Sequence, residues 1–575
     1  MRPALSAWLL AAFSAACSTA PVGHEPAPDI RVEQGDVEGE TINGARAWFA
    51  IPYARPPVGP LRWQPPQAPE AWSAPLNASE PGPACAQPAY DDAGAYTVRG
   101  SEDCLTLNIY APANSADTPL PVMVWIHGGG NYAGSAGEYD GSHLASAHNV
   151  IVVTANYRLG PFGWFHHEAM TSSDDGATQT GQFALLDMIA ALEWVEANIA
   201  AFGGDPDNVT LFGESAGGQN VYALVLAERA AGLFDKAIAQ SGGFWNMDLP
   251  QARNLTTDTL PGTRASANEI IVDLLVEIGR ADDRAAAIDL LATMPNGDLL
   301  DWMRSLDTAT MLKPYADQPD LGYDLPSVVQ DSILLPKAEH RAQLASGAYN
   351  QVPMIIGSNR NEQKLWQAFD PSFVDWSGSA PEILDPARYE AVDEHYSDLW
   401  TFDAVDDLAG RLAAPVFAYR FDWDEQPTAP VDWSFLMGAA HGLEIPFVLG
   451  TFESSGFENA FTPENKPARN ALSDAMMSYW AAFAHTGDPG RGMDGTLPQW
   501  AAWQESGSKI VFDAGPLTTA PAMTASRETL IEKALTDPRL TDADRCLILH
   551  HNSLYPHLDV ERLSAAGCEP AWAGE

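Results

Sequence analysis

The run Asn208-Val209-Thr210-Leu211-Phe212-Gly213-Glu214-Ser215-Ala216-Gly217-Gly218 passes from β-forming residues through glycines to a serine, and a helix-compatible segment, 219–226, follows. That layout describes a sharp strand-to-helix turn with Ser215 at its apex. Gly213 and Gly217 lack the Cβ atoms that would clash in so tight a reversal. The helix N-terminus behind Ser215 offers unpaired N–H groups to an anion. A serine hydroxyl is a poor nucleophile by itself and needs a base, an acid to orient that base, and donors for a developing oxyanion. An ordinary Gly/Ser turn is the alternative, because G-x-S-x-G arises by chance roughly once in five chains of this length. The partners have to decide.

Donors are available upstream. Trp125-Ile126-His127-Gly128-Gly129-Gly130 follows a strand-like run, and its glycines would let backbone N–H groups approach a substrate oxygen. A phosphate-binding loop would continue with Lys and Ser or Thr, and Asn131-Tyr132 supplies neither. A glycine loop ahead of an elbow serine is the order of α/β-hydrolases, in which the acid and then the base follow. His441, in the small-residue loop 438–442, is the base candidate, with His340, His550, His551 and His557 as rivals. Glu362, just after the strand-like run 352–357, is the acid candidate, and Asp370 and Asp375 from the same loop stay open on spacing alone.

These groups need a scaffold. Strand-like runs recur at 122–126, 150–156, 209–212, 236–240, 352–357 and 416–422, with helical segments between them. Within 183–202, Leu185, Met188, Leu192, Val195 and Ile199 are spaced by threes and fours, which puts them on one helical face. Such alternation predicts an α/β fold of the α/β-hydrolase kind, a mostly parallel central sheet covered by helices. Residues 32–53 read as an opening antiparallel hairpin or meander. The strand signal fades over 244–350, and that stretch, with 369–408, is expected as insertions forming a helical cap. A single catalytic domain over 30–575 is expected, after a signal segment at 1–17 and a flexible arm at 18–29.

The chain has 575 residues, 46% hydrophobic and 19% charged, enough to bury a large core. Its net charge of −45 repels polyanions and argues against nucleic-acid binding. An acidic secreted surface accounts for that charge, and so would adaptation to salt. Arg2 followed by the apolar run 4–16 is a secretory signal, too short to span a bilayer. Ser14-Ala15-Ala16-Cys17 resembles a bacterial lipoprotein cleavage box, in which a lipid on Cys17 would tether the chain to a membrane; Ser14 stands where an aliphatic residue is usual. Export, to the periplasm or beyond the cell, puts the other four cysteines in an oxidising compartment, where they can pair as two disulfides. No metal or organic cofactor is called for, and oligomeric state leaves no sign in the sequence.

The sequence resembles the type-B carboxylesterase family, which includes cholinesterases and bacterial para-nitrobenzyl esterases. In family order the matching pieces are Ser101-Glu102-Asp103-Cys104-Leu105-Thr106-Leu107-Asn108, the glycine loop, Asn156-Tyr157-Arg158-Leu159-Gly160, Phe202-Gly203-Gly204-Asp205-Pro206, the serine turn, Gln240-Ser241-Gly242, residues 357–362 and His441-Gly442-Leu443-Glu444-Ile445-Pro446-Phe447. The resemblance implies cofactor-free hydrolysis of small-molecule carboxylic esters. It implies Ser215 as nucleophile, His441 as base and Glu362 as acid, with Gly129, Gly130 and Ala216 as oxyanion donors. Glu214 resembles the family's electrostatic neighbour of the site and has a supporting role. A Cys85–Cys104 disulfide and an Arg62–Glu102 ion pair are implied too.

Departures from the family pattern bear on substrate. Asn131 stands where an aromatic is usual, which alters the pocket wall, and Gln363 replaces a glycine. The family's middle disulfide has no cysteines here, while Cys546 and Cys568 are expected to fasten the C-terminal tail. The loop from Cys85 to Cys104 contains Tyr90 and Tyr96 but no tryptophan, so a platform for choline esters is not expected. A lipase or polyester hydrolase would carry the same triad. Some relatives are non-catalytic adhesion proteins, a reading disfavoured by the serine, acid and histidine all standing in their motifs.

Overall fold

The computed structural model describes residues 25–26, 29–91, 93–114, 118–170, 180–244, 246–316, 327–337, 340–378, 380–453, 455–552 and 567–568. The signal segment, Cys17, most of the arm, His557 and the side chains of His550 and His551 lie outside them.

Twelve strands make the main sheet: β1 (Glu25–Pro26), β2 (Glu40–Ile42), β3 (Ala45–Pro52), β4 (Thr106–Pro112), β5 (Leu120–Ile126), β6 (Ile151–Ala155), β7 (Gly204–Glu214), β8 (Lys236–Gln240), β9 (Met354–Asn359), β10 (Val416–Phe421), β11 (Ser508–Phe512) and β12 (Thr518–Pro521). In space they run β1-β2-β3-β4-β6-β5-β7-β8-β9-β10-β11-β12. Neighbours from β6 through β11 are parallel. The first four strands and β12 add antiparallel edges.

A parallel sheet is covered on both faces, so its strands are apolar along their whole length. Every residue of β5, β6, β8 and β9 is buried. Alternation still sorts them: Val122, Val124 and Ile126 join one core, while Met123 and Trp125 join the core on the other face. The sequence reading includes neither β4 nor the β11–β12 pair, which are edge or antiparallel strands outside the strand–helix alternation.

Helices α1 (Phe183–Asn198) and α2 (Ala216–Leu226) pack on the sheet. Leu185, Met188, Leu192, Val195 and Ile199, the face expected to be apolar, are all buried, and burial extends well beyond that face. Only Glu193, Glu196 and Ala197 are exposed along the helix, because α2, β7 and the turn at 160–163 all pack against it. Its wholly buried Asp187 is gripped by Arg158 at 2.7 and 2.8 Å.

Within 244–350 stand α3 (Ala267–Glu277), α4 (Arg284–Thr293), α5 (Asn296–Ser305) and α6 (Thr308–Ala316). Later come α7 (Pro386–Thr401), α8 (Lys466–Thr486), α9 (Arg527–Thr536) and α10 (Asp542–Asn552). Disulfides join Cys85 to Cys104 and Cys546 to Cys568. Arg62 holds Glu102 bidentately at 2.5 and 2.7 Å, and Thr308 at the start of α6 donates to the same carboxylate at 2.7 Å. Tyr90 and Tyr96, from the loop closed by the first disulfide, donate to Ala316 O and Ala309 O, each at 2.8 Å. The disulfide loop and α6 are thereby joined into one wall. Among the described residues no helix is long and apolar enough to cross a membrane, and no cluster of His, Cys, Asp and Glu is arranged to hold a metal ion.

Candidate active site

Strand β7 ends at Glu214 and α2 begins at Ala216, leaving Ser215 alone at the corner with φ +59° and ψ −125°. A non-glycine residue held there stores about 1–3 kcal/mol of strain. The surroundings enforce it: Ser215 N–H donates to Gln240 O of β8 and Gln219 N–H donates to Ser215 O, both at 2.9 Å. A Cβ on Gly217 would strike Ile126 O, and one on Gly213 would lie 2.6 Å from it. Strand β5 therefore passes directly over the turn. Ala216 is the first residue of α2, so its N–H has no intrahelical acceptor.

The loop after β5 packs on the same corner. A Cβ on Gly128 would sit 3.0 Å from Ser215 Cβ. Gly129 and Gly130 take φ of +90° and +63°, conformations open to glycine, and Gly129 is exposed. Tyr132 and Ala133 N–H groups close the loop on Gly129 O at 3.1 and 2.9 Å. His127 is fully buried, stacks on Tyr157 at 4.3 Å and donates from Nδ1 to Gly128 O at 2.9 Å. Burial lowers it to about 4, so it is a neutral strut of the loop. Asn131 stands next in the loop, where the family pattern has an aromatic. It turns inward, 1% exposed, and its Oδ1 accepts from Asn220 of α2 at 2.8 Å. The aromatic of this loop is Tyr132, stacked on Tyr315 of α6 at 6.1 Å.

Glu362 and His441 arrive on two loops that are zipped together. Asn361 N–H donates to Ala439 O at 3.0 Å, and the Asn359 side chain donates to Ala440 O at 2.7 Å. His441 Nδ1 and Glu362 Oε2 are 2.6 Å apart, and Glu362 Oε1 accepts the Asn359 N–H at 2.7 Å. Carboxylate and imidazole are thus paired in a site where Glu362 is 0% and His441 4% exposed. On the other side of the ring, Nε2 lies 3.2 Å from Glu214 Oε1, the residue beside Ser215, and neither atom has a hydrogen-bond partner. The rivals are engaged elsewhere: Asp370 and Asp375 accept the N–H groups of Ser372 and Ser377, and His340 stacks on Phe244 at 4.9 Å.

Three buried carboxylates surround this imidazole. Burial alone would depress His441, but Glu214, Glu362 and Glu444 overcome it and raise it from 6.5 to about 9. Burial pushes Glu214 well above 4.5, opposed by His441 and helped by Glu444 and Glu362. A proton on Glu214 would remove the strongest of the charges holding His441 up. Glu444 is raised as well, by burial and by Glu362, while its Oε2 accepts from Asn359 Nδ2 at 2.6 Å.

The sequence reading assigns no role to Glu444, Asn359, Trp366 or Trp400. Glu444 carries a signal, a carboxylate three residues after His441 among apolar neighbours. The indoles carry none: Trp366 and Trp400 lie 4.9 and 5.1 Å from the His441 ring, yet they are 75 and 41 positions away in sequence.

A model of the carboxylesterase family matches residues 26–382 and 379–519. Para-nitrobenzyl esterase of Bacillus subtilis (strain 168) is 36% identical over 512 residues, covering 84% of this chain and 94% of that protein. Cocaine esterase of Homo sapiens is 33% identical over 571 residues, covering 89% and 92%. Among solved structures, a PNB esterase at 33% identity covers 87% of this chain and 99% of its own, with a TM-score of 0.65. Carboxylesterase EST55 of Geobacillus stearothermophilus, at 29% identity, covers 87% and 99% with a TM-score of 0.66. The family match stops at residue 519, short of α9 and α10.

Proposed function

This chain belongs to the carboxylesterase family, has the α/β-hydrolase fold and hydrolyses carboxylic esters, and from that premise we propose that it is a serine esterase working through an acyl-enzyme. Ser215 Oγ attacks the ester carbonyl while His441 Nε2 takes its proton. Glu362 accepts from Nδ1, which fixes the tautomer and stabilises the imidazolium. The N–H groups of Gly129, Gly130 and Ala216 hold the oxyanion. His441 returns the proton to the departing alcohol, and water then repeats the sequence to release the acid. The observation that carries this reading is the buried 2.6 Å Glu362–His441 contact beside a serine held at positive φ. A phosphonate ester that traps activated serines is expected to label the peptide containing Ser215 and to leave Ser215→Ala unlabelled; labelling of another residue would overturn the assignment.

The preferred substrates are small neutral esters. In support, the disulfide loop and α6 form one wall, and Tyr132, two residues after Gly130, stacks on Tyr315 of α6. A chain-length series of para-nitrophenyl esters should therefore peak at short acyl chains; a peak at long chains would favour a lipase or polyester hydrolase. The two disulfides support export to an oxidising compartment. There, Cys17 would be either lipidated or lost with the signal, a choice that intact-mass analysis of the mature chain decides.

A further inference from the structure

Helix α7 has two working faces. On one, Asp393 Oδ2 accepts from Asn361 Nδ2 at 2.6 Å, Ser397 Oγ accepts from Gln363 N–H at 3.4 Å, and Thr401 meets Ser358 at 2.8 Å. Those three contacts flank Glu362 in sequence. One residue before Thr401, Trp400 packs on His441 and lies 5.9 Å from Trp366. The spacing 393, 397, 400, 401 is a single helical stripe.

The opposite stripe faces α9 and α10. Arg388 holds Asp544 bidentately at 2.6 and 2.8 Å, with the Asp544 side chain 2% exposed. His395 Nε2 meets Asp537 Oδ2 at 2.9 Å. Glu394 pairs with Lys533 and Arg539, each at 2.8 Å. These last pairs are partly exposed and each is worth little alone. The Arg388–Asp544 pair is different: it is bidentate and part-buried, with Arg388 19% and Asp544 2% exposed, and without Asp544 the guanidinium keeps only Ser372 O and the Phe373 ring. Beneath the ion pairs, Leu530, Ile531, Ile548 and Leu549 share an apolar cluster with Tyr389, Val392 and Tyr396 of α7. The Cys546–Cys568 disulfide ties Cys568 to α10.

We propose that α9 and α10, which lie beyond the family match, form a clamp that positions Glu362 and His441 through α7, with Trp400 as its contact on the imidazole. Trp400 is a positioning residue, acting on substrate only through His441. The groups facing His441 are Glu362 on Nδ1, Glu214 on Nε2 and Glu444 behind them, with the uncharged indoles of Trp366 and Trp400 against the ring. A shift of the ring against this set of charges alters both the rate and the pH at which the base becomes neutral. The inference rests on His441 being the base.

The test is kcat and KM for para-nitrophenyl acetate across pH, on the full chain. Trp400→Ala should lower kcat about 10- to 100-fold, the size of effect expected from a small misplacement of a catalytic group, with KM nearly unchanged. Trp400→Phe should recover most of it. Asp544→Ala should lower kcat by up to about 10-fold in the same sense and shift the pH limb of kcat/KM. Because both act through one contact, the double variant should be no worse than Trp400→Ala alone. If Trp400→Ala does not fold, Trp400→Leu, which also removes the ring contact with His441, with Asp544→Asn completes the same cycle. A lowered melting temperature in Asp544→Ala with wild-type kcat and pH limb would overturn the clamp, as would costs that multiply in the double variant. Neither result touches the serine-esterase reading, which fails if Ser215→Ala keeps its turnover or the phosphonate labels another residue.

Discussion

At Ser215 every constraint is backbone. Strand β7 ends one residue before it, Gln240 O holds its N–H, and Ile126 O leaves no space above Gly217. At His441 the constraints are mostly side chains, Glu362, Trp366 and Trp400 from distant stretches of chain and Glu444 from three residues on, with one backbone bond from Asn361 to the loop before it. A group fixed by backbone sterics sits in a slot that admits no added methyl. A group fixed by surrounding side chains sits in a potential that each of them tunes. The nucleophile half should therefore fail abruptly when altered and the base half by degrees.

The comparison can be broken at its extremes first. Ser215→Ala and His441→Ala remove reacting groups, and each should lower kcat about 10⁶-fold, with the double variant little worse, as for triad members in serine proteases. Glu362→Gln should cost about 10⁴-fold by holding the wrong tautomer; a crippling Asp370→Asn or Asp375→Asn instead would move the acid role. Gly217→Ala is the sharper probe of the backbone half. Its Cβ meets a carbonyl oxygen that cannot rotate away, so overpacking should cost about 1–3 kcal/mol of stability and displace Ser215 enough to lose about 10²-fold in kcat. A Gly217→Ala enzyme with ordinary turnover would mean that the turn relaxes, and the contrast between the halves would disappear.

The same contrast explains what could be read from the chain. Constraints on Ser215 are written locally, as glycines at 213, 217 and 128–130, and β7 and α2 flank them within a few residues. The turn, its glycine loop and most parallel strands are therefore legible. From spacing alone Glu362 is one of three acids on its loop, because what brings it to His441 is the zipper from Asn359 and Asn361 to Ala439 and Ala440, some eighty residues on. Trp400 and the C-terminal clamp were invisible for the same reason. A tryptophan in an amphipathic helix reads as core until the helix is docked. In helix α1 the apolar stripe is legible and buried, but the burial that its other sides acquire from neighbours is not written in its spacing.

The smallest effect expected, and the most informative about the base half, is that of Glu214→Gln. Glu214 belongs to both halves, fixed by the end of β7 and lying 3.2 Å from His441 Nε2. His441 acts as base only when neutral, so kcat/KM rises with pH through its pKa. The three carboxylates favour the imidazolium and, against burial, lift that pKa to about 9, with Glu214 the largest of the three. An uncharged amide at 214 removes that pull. The rising limb of kcat/KM should then move down, from about 9 toward the ordinary 6.5, so the variant gains relative to its own plateau near neutral pH while the plateau itself changes only a few-fold. A limb that stays where the wild type has it would show that Glu214 already carries the proton toward which burial pushes it. Its part would then be to fill space beside Nε2, and the charge setting the base would belong to Glu362 and Glu444 alone.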